Sequence, residues 1–173
     1  MISNSDFQKI KMLIFDVDGT LTDGRISYDG QGNVIKFFDI QDQHWLKLLV
    51  RAGLQSALLS GRDDPINRHF AAGALISRAV YGAKNKCEAF QKLCEEAGVS
   101  PEECLYAGDD VVDMPVLKRA GIAVIPANAV AVMDEVASWR TAASGGRGAV
   151  QEIICRVLRE KGMLDQLMER YRQ

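Results

Sequence analysis

Five short apolar runs, separated by helix-like stretches, constrain the fold of this chain more than any other feature. The runs are MLIF (12–15), LQSALLS (54–60), ISRAV (76–80), CLYAG (104–108) and IAVIP (122–126). Short, continuously apolar runs are typical of strands that are buried on both faces. Candidate helices lie between and after them, near 42–52, 64–73, 84–98, 112–120, 129–136 and 148–160. This alternation predicts an α/β fold, a Rossmann-like doubly wound parallel sheet with helices on both faces.

One segment, residues 25–38, interrupts the alternation after the first predicted strand. Its two β-prone runs, RISY and NVIKFF, flank the turn-forming sequence DGQG. This pattern predicts a β-hairpin that protrudes from the sheet. Because the edges of a hairpin are free to pair, we expect it either to associate with another chain or to cover the functional site.

The length and composition fit one ordinary domain spanning residues 1–173. The chain is 47% apolar and 25% charged, and its formal net charge of −2 argues against a nucleic-acid partner. It contains no run of about 18 apolar residues, and its first residues lack the pattern of a signal peptide. None of its four cysteines forms a Cys-x-x-Cys pair, so no zinc site is indicated. We therefore expect a cytoplasmic protein without a membrane partner.

Polar residues follow four of the predicted strands, at the point where each strand ends. They are Asp16 and Asp18 after the first run, Ser60, Gly61 and Arg62 after the second, Gly82 and Lys86 after the third, and Gly108, Asp109, Asp110 and Asp113 after the fourth. In a doubly wound sheet, ligands bind beyond the carboxyl ends of the strands. The sequence therefore predicts that carboxylates, a hydroxyl and a lysine meet at one rim of the sheet.

The residue types at this rim favour phosphate chemistry. Asp16, Asp18 and Asp109 would repel one another without a cation, and carboxylate oxygens suit Mg²⁺. Lys86 and Ser60 suit phosphate oxygens instead. Each motif alone also fits an ordinary turn or helix cap, but their ordered combination favours a phosphatase. In an extended chain, Asp18 shares a face with Asp16, so one can attack phosphorus while the other transfers the proton.

The segments FDVDGTLTDG, LLSGR and AGDDVVD, together with Lys86, resemble the four ordered motifs of the haloacid-dehalogenase superfamily of phosphatases. The hairpin, the motif spacing and the late GGRGAV (145–150) more closely resemble the 3-deoxy-D-manno-octulosonate 8-phosphate (KDO 8-phosphate) phosphatase family, from about Lys11 to about Arg159. This resemblance implies a capless, Mg²⁺-dependent enzyme of lipopolysaccharide biosynthesis. It also implies a homotetramer whose hairpins form a central β-barrel and whose neighbouring subunits help to cover each site.

The resemblance also implies individual roles for the residues at the rim. Asp16 resembles the nucleophile and a metal ligand, Asp18 the general acid and base that gives the metal its backbone carbonyl, and Asp109 the third ligand. Ser60 and Lys86 resemble the pair of residues that binds phosphate. Asp110 and Asp113 resemble residues that support the metal ligands.

Sugar recognition departs from the family pattern. Members that act on KDO 8-phosphate usually carry N-V-R-D-G after the hairpin, whereas this chain has DIQDQ (39–43). The expected substrate-binding residues are Asp39, Gln41, Asp42, Lys47, Gly61, Arg62 and Arg147. KDO 8-phosphate is the first expectation, and a nine-carbon keto-deoxy or sialic-type sugar-acid 9-phosphate is the alternative. An alternative of another class is a non-catalytic oligomerisation module, against which the intact catalytic set argues.

Overall fold

The computed structural model describes residues 2–173 and contains eight strands and seven α-helices in that range. The strands are β1 (Met12–Phe15), β2 (Ser27–Tyr28), β3 (Val34–Ile35), β4 (Gln55–Leu59), β5 (Arg78–Val80), β6 (Cys104–Ala107), β7 (Ile122–Ile125) and β8 (Trp139–Arg140). The helices are α1 (Asn4–Lys9), α2 (Ile40–Arg51), α3 (Pro65–Gly73), α4 (Lys86–Ala97), α5 (Met114–Leu117), α6 (Ala149–Glu160) and α7 (Leu164–Glu169). Nowhere in residues 2–173 is there a helix whose length and apolar character would let it cross a bilayer.

Six of the strands form one parallel sheet in the order β5-β4-β1-β6-β7-β8. All five predicted strands are present, and the predicted doubly wound α/β fold is confirmed. Residues of β1 alternate between the two faces of the sheet. Leu13 and Phe15 pack with α2, α3 and α6, whereas Met12 and Ile14 pack with α4 and α5. Both faces of β1 are therefore buried, which explains its continuously apolar sequence.

Two predicted helices are shorter than expected. In place of the helix predicted near 112–120, a 3₁₀ turn over Val111–Asp113 precedes the four residues of α5. Pro115 accounts for part of this difference, because proline fits only the first turn of an α-helix. The helix predicted near 129–136 is a 3₁₀ helix over Ala131–Glu135, since β8 begins only four residues later. The elements α1, β8 and α7 were not predicted as such.

The strand order reverses between β1 and β6, which are neighbours in the sheet although 88 residues, 16–103, lie between the end of β1 and the start of β6. Such a reversal opens a crevice at the carboxyl ends of the two strands, where doubly wound folds bind their ligands. Asp16 extends β1 into this crevice, and its N–H donates to the carbonyl of Ala107 at 2.9 Å. The topology therefore brings the loops that follow β1 and β6 together.

The predicted hairpin is present, although each of its strands spans only two residues. The carboxylate of Asp29 closes its turn by accepting from the N–H groups of Gln31 and Asn33, each at 2.8 Å. At its base, the Phe38 ring stacks on Phe70 of α3 with the ring centroids 4.1 Å apart. The hairpin is therefore anchored to the domain through α3, on the side that carries the crevice.

Candidate active site

The first predicted site residue, Asp16, lies at the end of β1 and is almost completely buried. Its Oδ1 atom lies 2.8 Å from Nζ of Lys86, the first residue of α4. The side chain of Asn85 caps this helix by accepting from the N–H of Cys87 at 3.1 Å, which fixes the position where Lys86 begins the helix. The predicted pair of an aspartate and a lysine at one rim is therefore a direct ion pair in the structure.

Asp113 binds the same lysine from the other side. Its Oδ1 atom lies 2.6 Å from Nζ of Lys86 and accepts from the hydroxyl of Tyr106 at 2.6 Å. Its Oδ2 atom accepts from the N–H groups of Asp109 and Asp110, at 3.2 and 3.3 Å. Asp113 is thus held by one charged donor, Lys86, and three neutral ones, of which the Tyr106 hydroxyl was not predicted as part of the site.

The carboxylates of Asp16, Asp109 and Asp113 approach one another closely enough to share a cation. One oxygen atom from each lies within 4.8 Å of those of the other two. Burial and the negative charge of Asp113 raise the pKa of Asp16 to about 7, against the opposing effect of Lys86, and raise the pKa of Asp109 to about 6. These shifts report an excess of negative charge in a poorly solvated space. A cluster of hard oxygen ligands in such a space fits Mg²⁺.

Glycine is required beside this cluster. Gly19 has a φ of +92°, and a Cβ atom there would overlap the carboxylate of Asp109. The backbone of the FDVDGT loop can therefore approach Asp109 only because residue 19 has no side chain. The hydroxyl of Thr20 completes the contact by donating to Asp109 Oδ1 at 3.3 Å.

The side chain of Asp18 does not join the three-carboxylate cluster. Its Oδ1 atom lies 2.7 Å from Nζ of Lys36, and its Oδ2 atom lies 4.0 Å from Nε of Arg62. Lys36 comes from the hairpin and was not predicted as a site residue. The Asp18 carboxylate therefore lies outside the candidate metal cluster, and the metal role of its backbone carbonyl stays a prediction.

Ser60 and Gly61 follow β4, which is a neighbour of β1 in the sheet. The Ser60 hydroxyl donates to the carbonyl of Arg62 at 3.0 Å and accepts from its N–H at 3.1 Å, which closes a tight turn. Gly61 and Lys86 line one open cavity of about 450 Å³, together with residues 83–87, Val112 and Pro115. The exposed edge of the lysine therefore faces a space that is large enough for a ligand.

Three of the predicted sugar-binding residues lie around a second open cavity, of about 540 Å³. They are Asp39, Gln41 and Arg147, and the cavity is also lined by Asp23, Arg25, Phe37, Phe38, Ile40 and Gly146. Arg147 is 67% exposed and its guanidinium lies 3.8 Å from Asp23. Asp39 caps α2 by accepting from the N–H of Gln41 at 2.7 Å. Arg62, another of the predicted residues, instead pairs with Asp64 at 2.9 Å.

Two further predicted sugar-binding residues, Asp42 and Lys47, do not line this cavity. Asp42 is fully buried and accepts from the N–H of Gln151 at 2.7 Å, so it caps the first turn of α6. Burial raises the pKa of Asp42 to about 6. Lys47 lies six residues beyond Gln41 on α2, about 9 Å along the helix axis.

Two further placements complete the account of the predicted site. The Asp110 side chain is exposed and caps the 3₁₀ turn by accepting from the N–H of Val111 at 2.7 Å. Asn128 was missed by the sequence reasoning, although it bridges two loops: its Nδ2 donates to the carbonyl of Gly19 at 2.9 Å, and its Oδ1 accepts from the N–H of Gly145 at 2.6 Å. The available signal was its position just after the fifth apolar run, at the same edge of the sheet.

Comparisons with known proteins agree with this geometry. A family model of haloacid dehalogenase-like hydrolases matches residues 38–121. The chain is 37% identical to the 3-deoxy-D-manno-octulosonate 8-phosphate phosphatase of Haemophilus influenzae over 90% of this chain and 86% of that protein. A probable yrbI family phosphatase from Pseudomonas syringae superposes with a TM-score of 0.95 at 34% identity, over 98% of this chain and 97% of that one. The Moraxella catarrhalis 3-deoxy-D-manno-octulosonate 8-phosphate phosphatase, solved with magnesium, phosphate and KDO, superposes with a TM-score of 0.94 at 29% identity, over 97% of each chain.

Proposed function

Because the chain belongs to the 3-deoxy-D-manno-octulosonate 8-phosphate phosphatase family of haloacid dehalogenase-like hydrolases, we propose that it hydrolyses KDO 8-phosphate to KDO and inorganic phosphate. The observation that carries this proposal is the carboxylate of Asp16, held by Lys86 beside Asp109 at the reversal point of the sheet. A buried carboxylate with a fixed cation beside it suits in-line attack on a phosphoryl group.

Magnesium is the cofactor that the donor set fits. Asp16, Asp109 and the backbone carbonyl of Asp18 would hold it, with Asp113 supporting Asp109 through the backbone N–H of that residue. Bound there, Mg²⁺ would neutralise the carboxylates and polarise the phosphoryl oxygen atoms. The raised pKa values of Asp16 and Asp109 support this assignment. They mean that the protein alone makes the ionised carboxylates unfavourable, and a bound cation would favour the ionised form of both groups.

The proposed reaction proceeds through an aspartyl-phosphate. A carboxylate oxygen of Asp16 attacks phosphorus, the bond from phosphorus to the sugar oxygen breaks, and Asp18 gives its proton to that oxygen. A water molecule then attacks the phosphorus of the intermediate, the bond to Asp16 breaks, and Asp18 takes the proton of the water. Lys86 and Ser60 bind the phosphoryl oxygen atoms during both steps. Splitting the reaction in this way replaces one high barrier with two lower ones.

The sugar end of the substrate is assigned to the cavity of Asp39, Gln41 and Arg147. A sugar acid carries a carboxylate in addition to its phosphate, and the exposed guanidinium of Arg147 suits that group. The names of the relatives and the KDO bound in the Moraxella catarrhalis structure support this substrate over the nine-carbon alternatives.

The active form proposed for this chain is a homotetramer assembled through the hairpin. Three apolar side chains on or beside the hairpin are strongly exposed: Tyr28 at 63%, Phe37 at 68% and Ile40 at 75%. Exposed apolar groups clustered in this way are typical of association surfaces. Phe37 and Ile40 also line the proposed sugar cavity, so a neighbouring subunit seated on this surface would help to enclose the substrate.

A phosphate-release assay tests the proposed function. The wild-type chain is expected to release phosphate from KDO 8-phosphate with Mg²⁺ and to lose this activity with EDTA. Asp16→Asn removes the attacking carboxylate, so at least about a 10³-fold loss of kcat is expected. Activity that survives EDTA or the Asp16→Asn substitution would contradict the mechanism. A faster reaction with a nine-carbon sugar-acid 9-phosphate would overturn the choice of substrate alone.

A further inference from the structure

A second buried lysine, Lys36, lies beside the other aspartate of the FDVDGT loop. Its side chain is 0% exposed. Three oxygen atoms surround its Nζ atom: Asp18 Oδ1 at 2.7 Å, Asp64 Oδ2 at 2.8 Å and Asn67 Oδ1 at 3.2 Å. Two of these atoms belong to carboxylates that form ion pairs with Lys36, and the amide oxygen of Asn67 accepts a hydrogen bond from it. Lys36 is therefore a fully buried cation held by protein groups.

The hairpin delivers Lys36 to this place through its side-chain alternation. Residues 34, 36 and 38 face the domain, whereas residues 35 and 37 are exposed. The Phe38 ring, stacked on Phe70 of α3, holds the inward-facing row against that helix. Asp64 and Asn67 lie at the start of the same helix. The ammonium group of Lys36 is thus fixed from one side by α3, and only Asp18 among its partners belongs to the catalytic loop.

We infer that Lys36 is a positioning residue that holds the carboxylate of Asp18 towards the leaving oxygen of the substrate; this inference rests on the proposed phosphatase function. Asp16 has its own fixed partner, Lys86, whereas the Asp18 carboxylate has Lys36 at 2.7 Å and only a distant Arg62 at 4.0 Å. A proton donor that is free to rotate would deliver its proton inefficiently, because the geometry of transfer is demanding.

The alternative role for Lys36 is purely structural, as a pin between the hairpin and α3. The two roles differ in the step that each affects. If Lys36 acts through Asp18, its loss impairs the transfer of a proton to the leaving oxygen in the first step. A sugar alkoxide needs that proton, whereas p-nitrophenolate is a much weaker base and leaves without it. A structural pin would influence the hydrolysis of both esters to the same extent.

The test compares Lys36→Met with the wild-type chain on KDO 8-phosphate and on p-nitrophenyl phosphate. Because kcat/KM reports the first irreversible step, we expect it to fall about 10²-fold for the sugar phosphate and by less than about fivefold for the aryl phosphate. The control is Lys161→Met. Lys161 also donates to three oxygen atoms, the carbonyls of Phe7, Gln8 and Ile10, but at the amino end of β1. This variant is expected to change Tm without changing the ratio of the two kcat/KM values.

A calorimetric titration with Mg²⁺ shows whether the metal site of Lys36→Met is intact, and an affinity within about threefold of the wild-type value is expected. If Lys36→Met does not fold, Lys36→Gln keeps a polar group in the site and must show the same selective loss. Equal losses for both esters, or no loss for either, would overturn the inference while leaving the phosphatase function in place. A wild-type chain that hydrolyses neither ester would instead refute the proposed function.

Discussion

The two buried lysines of this protein share a local pattern but lie in different kinds of structure. Lys86 begins a helix of the wound sheet and contacts Asp16 and Asp113, both of which follow strands of that sheet. Lys36 lies on a hairpin outside the sheet and contacts Asp18 and Asp64. Each lysine therefore holds one of the two aspartates of the FDVDGT loop. In the proposed mechanism, the sheet therefore positions the group that attacks phosphorus, and the hairpin positions the group that transfers the proton.

Of the substitutions that test this comparison, replacement of Lys86 is expected to lower activity the most. Lys86→Met leaves the buried carboxylates of Asp16 and Asp113 without their cation and removes the proposed phosphate ligand. We expect kcat/KM to fall at least about 10³-fold for both sugar and aryl phosphates, and the unpaired charges to cost about 3 kcal/mol of folding free energy without Mg²⁺. Enzyme assays and urea unfolding check these values. A loss confined to the sugar phosphate would mean that the two lysines do not differ as described.

A double-variant cycle between Lys36 and Asp18 provides the next test. If Lys36 acts through Asp18, Lys36→Met should lower kcat/KM for the sugar phosphate about 10²-fold in the wild-type background. In the Asp18→Asn background it should lower this value by less than about threefold, because the proton donor is already lost. Losses that simply multiply would indicate that Lys36 acts independently of Asp18.

A change on the exposed side of the hairpin should have a smaller effect on turnover and a visible effect on assembly. Phe37→Asp places a charge on a strongly exposed apolar side chain that also lines the proposed sugar cavity. Light scattering is expected to show a smaller assembly. KM for the sugar phosphate is expected to rise about tenfold, because a cavity that lacks the wall supplied by the neighbouring subunit buries less of the substrate's surface. The Mg²⁺-induced rise in Tm should stay as in the wild type. A tetramer of unchanged mass would rule out this face as the interface.

The smallest expected effect concerns Asp42 and is a change in stability with pH. Asp42 is a buried carboxylate that accepts from backbone N–H groups and has no ion-pair partner among residues 2–173. Burial raises its pKa from 3.8 to about 6, so the folded state binds more protons than the unfolded state between those values. Its contribution to stability is therefore present at low pH and is lost as the pH rises from about 4 to about 6. Relative to Asp42→Asn, the wild type should lose on the order of 2 kcal/mol across this range, as measured by urea unfolding without Mg²⁺. A difference that is independent of pH would contradict the raised pKa.

The cluster around Lys86 could be predicted from the sequence because a parallel sheet leaves little freedom. Once five buried strands are recognised, their carboxyl ends must share an edge, and Asp16 and Asp109 follow strands that are neighbours in the sheet. The cluster around Lys36 could not be predicted in the same way. Its lysine lies in NVIKFF, where nothing distinguishes it from an exposed hairpin lysine, and its burial depends on the docking of Phe38 on α3. The burial of Asp42 could not be predicted for a related reason, since its partner Gln151 is 109 residues away.

The alternation of the second hairpin strand has a consequence for how this protein can diversify. The inward row, residues 34, 36 and 38, carries the lysine that contacts the catalytic loop, whereas the outward row, residues 35 and 37, is exposed. Substitutions can therefore accumulate on the outer row and alter which chains associate, without disturbing the lysine one residue away. The two-residue period of the strand therefore separates the proposed association surface from the proposed proton-transfer step, and Phe37 is the outward residue that also lines the proposed sugar cavity.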